Sequence, residues 1–238
     1  MKTKITLIMA FVLYAGCLFA QEKTKSITET TYMLCKRGMN EKFEAAVKAH
    51  NDKFHKDPNS AALRSVVYGD KAGWYVWLMR GTYASLDNRP GKGAHDDDWS
   101  KNVDPLVEEY GQVGLFEFNE ELSVNQDKLA DDGYYNLWMI DLKRGKYNQF
   151  KSLVSRIGKA YEAMDGRAFL VFDNAVPSNN TPDIGLIWGF DKYAELNDNW
   201  GTKAAYENIY GEGSWEAMVD EWMSITESID TEIRSMLK

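Results

Sequence analysis

Lys36-Arg37-Gly38-Met39-Asn40-Glu41-Lys42-Phe43 and Lys143-Arg144-Gly145-Lys146-Tyr147-Asn148-Gln149-Phe150 are one short pattern written twice, 107 residues apart. Lys, Arg, Gly and Phe occupy the same places in both. A self-match at so long a period marks a duplicated folding unit. Upstream of each copy lies a run rich in β-branched and aromatic residues, Thr28 to Cys35 and Tyr135 to Leu142, which predicts a strand. Downstream, apolar residues recur at helical spacing: Phe43, Val47, His50 and Phe54 in the first copy, Phe150, Val154, Ile157 and Tyr161 in the second. Each pattern is therefore a strand-to-helix turn with glycine at a positive φ. The first helix is expected from an Asn40 cap to about Lys56, the second from Asn148 to about Met164.

The order continues in parallel. Arg64–Tyr68 and Trp74–Met79 form a hairpin in the first half, Arg167–Phe172 and Ile184–Phe190 in the second. Tyr83-Ala84-Ser85-Leu86 is echoed by Tyr193-Ala194-Glu195-Leu196, each opening a short helical element. Asp98 is expected to cap a helix from Trp99 to about Tyr110, with Pro105 as a defect inside it, and Ser214 to cap a last helix. Val113–Phe118 is a fourth strand in the first unit. In the second unit the last helix runs out at Lys238, leaving no room for the equivalent strand. Residues 28–118 and 133–238 are thus two βαββα repeats joined by a polar linker, 119–132.

The 238 residues are ordinary globular material, 44% hydrophobic and 27% charged, with eight Trp and thirteen Tyr. A formal net charge of −8 without a basic patch argues against nucleic acid and anionic membrane surfaces as partners. Lys2 and Lys4, the apolar run Ile5–Tyr14 and Leu18-Phe19-Ala20 read as a secretory signal over residues 1–20, too short for a stable membrane span. Ala15-Gly16-Cys17 is a weaker lipoprotein-like alternative, because Tyr14 stands where an aliphatic residue is wanted. Either cleavage places the protein outside the cytoplasm. Cutting after Ala20 leaves Cys35 as a single thiol, expected as a small buried hydrophobe.

Two ferredoxin-like units in tandem, carried by these matched segments, resemble the dimeric α+β barrel superfamily, in which two such units pack sheet to sheet. The resemblance covers about residues 28–238 and rests on topology and the repeat. It implies one α+β barrel formed by a single chain; two separately cored domains are the other architecture. Family members include cofactor-free monooxygenases, haem enzymes such as chlorite dismutase-like proteins, and barrels without assigned activity.

The sequence contains no phosphate loop, zinc spacing, nucleophile elbow or haem-attachment motif, so neither a cofactor nor a metal is expected. His50 sits on the buried helix stripe and is expected as a core histidine. His55, about 140° further round a helix, cannot join it on one ion. His95-Asp96-Asp97-Asp98 reads as a solvated loop ending in a helix cap. Duplicated residues serve folding, so function is sought where the halves differ. Trp74, Val76 and Leu78 are aligned with Ile184, Leu186 and Trp188, which sets Tyr75 and Trp77 against Gly185 and Ile187 in the space between the sheets. Arg64 and Asp141 add polar groups to that cleft, and Trp200, Tyr206 and Tyr210 crowd a loop that lids or packs on it. Three readings stand: an exported protein binding a small apolar or aromatic ligand, a cofactor-free monooxygenase-like enzyme, or a structural protein with a filled core.

Overall fold

The computed structural model describes residues 24–129, 133–164 and 167–237. The leader with Cys17 and the cut after Ala20 lies outside them. The first half runs β1 (Ser26–Cys35), α1 (Asn40–Phe54), β2 (Ala61–Tyr68), β3 (Tyr75–Thr82), the short α2 (Tyr83–Leu86), α3 (Ala94–Asn102) and β4 (Val107–Phe118). The second runs β5 (Tyr134–Leu142), α4 (Tyr147–Glu162), β6 (Leu170–Asn174), β7 (Ile184–Phe190), a 3₁₀ segment (Tyr193–Gly201), α5 (Thr202–Tyr210), α6 (Ser214–Ile225) and β8 (Thr226–Met236).

The repeated Lys-Arg-Gly is the turn from first strand to first helix. Gly38 and Gly145 have φ of +76° and +78°, where a side chain would be strained. In each unit the Lys backbone N–H reaches the last carbonyl before the closing strand, Lys36 to Leu106 and Lys143 to Ile225, both at 2.9 Å. The Lys ammonium adds bonds to neighbouring carbonyls, Pro105 in one half and Met223 and Ser224 in the other. The turn is therefore fastened to the end of its own unit twice over, which explains why both copies keep the lysine.

The eight strands close into an antiparallel barrel in the order β1-β3-β2-β8-β5-β7-β6-β4. Its two seams join the halves: β2 pairs with β8, and β4 with β6. Closure excludes two separately built sheets. It also overturns the expectation of a missing last strand, since residues 226–236 form β8 between β2 and β5. The unit is βαββαβ. Ile225, Ile229 and Ile233 recur every four residues, a spacing that suits a helix and also keeps one face of a strand, so periodicity alone does not separate the helix end at Ile225 from the strand that follows.

Other boundaries shift for local reasons. Asn40 and Ser214 are the first residues of their helices, with Met39 and Gly213 before them and no side-chain cap bond. The helix expected from Trp99 to Tyr110 starts earlier and stops at Asn102. Pro105 then sits in the first turn of a 3₁₀ element, Asp104–Leu106, where its missing N–H costs nothing. Tyr206 and Tyr210 belong to α5 rather than to a loop, and Tyr206 is buried against Trp215 and Tyr210. The Trp200 side chain lies outside the described residues.

Helices cover the outer face of the barrel. In the second half α4 buries Phe150, Leu153, Val154 and Tyr161 against Leu186 and Trp188, and α6 adds Met218 and Trp222. In the first half α1 buries Phe43 and Val47 against Tyr75, Trp77 and Met79. Leu122, between the halves, is buried in the second core, and Val124 bridges to Phe169.

Candidate functional site

Strand parity sorts the predicted residues between two cavities. Met33 pairs with Tyr75 in the first half, and Ile140 pairs with Ile184 in the second. Tyr75, Trp77 and Met79 therefore correspond to Ile184, Leu186 and Trp188, one residue away from the alignment expected from sequence. In a strand one residue reverses the face. Tyr75 and Trp77 thus point outward under α1, not between the sheets. The Tyr75 hydroxyl donates to Glu44 Oε1 at 2.6 Å and accepts from Asn40 Nδ2 at 2.8 Å, and burial first raises its pKa. Trp77 Nε1 donates to Asn51 Oδ1 at 3.0 Å. Asp141 lines neither cavity and accepts a bond from the Ser228 hydroxyl at 2.7 Å.

Arg64 does face the barrel interior. There a cavity of about 550 Å³ is walled by Thr28, Leu78, Leu137, Met139, Phe172 and Ile187. Its polar residues are unevenly satisfied. Arg234 Nε donates to Glu232 Oε2 at 2.8 Å, and the Tyr32 hydroxyl donates to the same oxygen at 2.9 Å. That ion pair is buried and neutral as a unit. Arg64 is 3% exposed, its guanidinium stacks on the Tyr135 ring at 3.6 Å, and neither Nη1 nor Nη2 makes a hydrogen bond among the described residues. Burial lowers its pKa, with the guanidiniums of Arg80 and Arg234 acting the same way and Tyr135 opposing. Two buried guanidinium nitrogens without a hydrogen bond carry a desolvation cost that a bound anion would offset.

The second cavity, also about 550 Å³, lies on the outer face between β1, β3 and α3 and is lined by Met33, Trp77, Trp99 and Tyr110. The three histidines of the chain meet at its edge. His50 is on α1, 1% exposed. His55 follows the end of α1 with φ −107° and ψ 79°, so helical geometry does not govern it. This is why the expectation that His50 and His55 point apart fails. His95 is on α3, which follows a turn with positive φ at Lys92 and Gly93. His95 Nε2 lies 3.2 Å from His50 Nε2 and 3.3 Å from His55 Nε2.

Carboxylates back two of the rings. His50 Nδ1 meets Asp98 Oδ2 at 2.9 Å, and His95 Nδ1 meets Asp96 Oδ1 at 2.8 Å. Asp98 is steadied by Lys53 and Asn102, and Asp96 by the Lys92 backbone N–H. The bonds to His50 and His95 lower the pKa of Asp98 and Asp96 respectively. Burial lowers the pKa of His50, against the pull of Asp98. Burial, then the neighbouring His50 and His95, brings His55 down to about 4, with the Asn59 backbone opposing. The sequence held one usable signal of this cluster: all three histidines fall in one copy, where the other has Ile157 and Glu162 at the helix positions.

No family model matches the sequence, and no curated protein does. Solved structures match over nearly the whole chain. A putative monooxygenase from Fusobacterium nucleatum superposes with TM-score 0.59 at 10% identity, covering 91% of this chain and 94% of the other. One from Lactobacillus acidophilus gives 0.55 at 13%, covering 88% and 94%. A variant chlorite dismutase from Candidatus Nitrospira defluvii gives 0.56 at 8%, covering 91% and 92%. At such identities the likeness concerns architecture. The chain has the fold of the dimeric α+β barrels, with both ferredoxin-like units on one polypeptide.

Proposed function

We propose that this protein binds a small, largely apolar or aromatic organic acid inside the barrel, with the acid group on Arg64. The observation that carries this reading is the pair of buried Arg64 nitrogens without hydrogen bonds beside an apolar cavity. A carboxylate accepts two parallel N–H bonds from a guanidinium, and the apolar walls receive the remainder of the ligand. No helix among the described residues is long and apolar enough to cross a membrane. The charged and apolar run of residues 1–20 supports work outside the cytoplasm, which fractionation of expressing cells would check.

The test is thermal unfolding with a panel of aromatic and medium-chain carboxylic acids beside their neutral amides. At least one acid is expected to raise the midpoint in a concentration-dependent way, its amide much less, and Arg64→Gln to abolish the difference. No shift with any acid, or an equal shift in Arg64→Gln, would reject the reading.

A second reading, oxidation of an electron-rich phenol without a cofactor, draws support from the two neighbours named as monooxygenases. It predicts oxygen consumption that depends on such a substrate.

A further inference from the structure

We propose that His50, His55 and His95 hold one divalent first-row transition-metal ion, zinc foremost, with the fourth coordination position facing the outer cavity. The site is on the opposite side of the sheet from Arg64, and the proposal does not depend on ligand binding in the barrel.

The arrangement of protons comes first. A carboxylate can only accept, so Asp98 and Asp96 take the Nδ1–H of His50 and His95. In a neutral ring the other nitrogen then carries a lone pair. The two Nε2 atoms, 3.2 Å apart, therefore confront each other as two acceptors with no hydrogen between them. His55 has one Nε2 and cannot serve both with a single proton. A cation at the centre gives all three nitrogens a partner at once.

Two of the three distances agree with that. Metal–nitrogen bonds of about 2.0–2.1 Å at tetrahedral angles set ligand nitrogens about 3.3 Å apart. The two closest pairs measure 3.2 and 3.3 Å, and all three ligand atoms lie within 4.8 Å of one another. The surroundings also fit. Metal-bound imidazoles characteristically pass their second N–H to a carboxylate, which fixes the tautomer and strengthens the donor. Asp98 and Asp96 stand in that relation, and each is itself held by further bonds. Three imidazoles suit zinc and its neighbours rather than calcium or magnesium, which take oxygen ligands. With only three protein ligands, a water or a substrate atom from the cavity completes the tetrahedron, as in catalytic rather than structural zinc sites.

The experiment uses the untagged full chain, stripped with chelator, loaded with one equivalent of Zn²⁺ or Co²⁺ and freed of excess ion by gel filtration. One ion retained per chain is expected, with the intense visible bands of four-coordinate Co²⁺. His95→Ala should weaken binding by more than about 100-fold. None of the residues of α3 is buried, so that variant should remain folded, and far-ultraviolet circular dichroism checks it. Asp96→Asn keeps every ligand and should weaken binding by about 10–100-fold while preserving the cobalt spectrum. Failure to retain any ion would overturn the proposal. So would retention that neither His95→Ala nor Asp96→Asn reduces, because the ion would then be elsewhere.

Discussion

The two helix–sheet layers descend from one pattern and are packed to opposite ends. Under α4, Leu153 and Ile157 extend the stripe of Phe150 and Val154, and Trp188 and Trp222 fill the space beyond. Under α1 the same positions are Ala46 and His50, and a cavity opens where the second half has rings. The covering elements differ accordingly. Helices α5 and α6 bring Tyr206, Met218 and Trp222 into the core of the second half, whereas α3 buries none of its residues and delivers His95 to the rim. A duplicated scaffold can keep one copy as ballast while the other opens a site, because the stability of the filled layer does not depend on the residues around the open one.

The sharpest way to break this comparison is Phe150→Ala, at a fully buried position in the filled layer. It should cost about 3–5 kcal/mol in denaturant unfolding. A loss below about 1 kcal/mol would mean that the second layer is not packed as described.

Next in size is the acid response of the metal-free protein. Folding holds His55 at about 4, below the ordinary histidine value near 6.5. The unfolded chain therefore takes up a proton first as pH falls. Stability present above 6.5 is lost between 6.5 and 4, by about 3 kcal/mol from this residue, and His50 acts in the same direction. Denaturant midpoints at pH 7 and pH 4.5, in chelator, should show that loss, and His55→Gln should flatten it. An unchanged slope in the variant would detach the effect from the histidine.

Replacing Arg64 with Met should stabilise the unliganded protein by roughly 1–4 kcal/mol, since a buried charge with two nitrogens lacking hydrogen bonds is exchanged for an apolar chain of similar length. A destabilised Arg64→Met would indicate that the guanidinium is already satisfied. The smallest effects belong to the turns both halves share. Ser85 accepts the Thr82 N–H, and Glu195 accepts those of Asp191 and Lys192. Alanine at either should cost about 1 kcal/mol by thermal or chemical unfolding, and a large difference between them would argue against equivalent roles.

The repeat made the topology legible because the Lys-Arg-Gly turn needs its glycine and its lysine for backbone reasons that survive divergence. Parity in the hairpin was hidden. Trp74 to Met79 is apolar on both faces, since one faces a helix layer and the other the barrel cavity, so no alternation pinned the register. The last strand was masked by charge as well as by spacing: Glu232 and Arg234 are buried in the barrel, where the pattern suggests solvent. The histidine cluster depends on a non-helical His55 and on a loop that folds back over forty residues, neither of which local spacing encodes. Arg64 could be placed between the sheets from sequence, but the lack of partners for its two Nη atoms is a property of what surrounds it.

Both seams of the barrel are made late in the chain. Strand β2 waits for β8, with Arg64 opposite Met236, and β4 waits for β6. Until the final strand arrives, β2 and β5 each present an uncovered edge, and pairings of such sequence separation are slow to form. A chain interrupted before residue 226 would hold most of its core residues and still be unable to shut, and its exposed edges would recruit other chains instead. Folding yield in this architecture is therefore set by the fate of its last dozen residues, which carry little of the core.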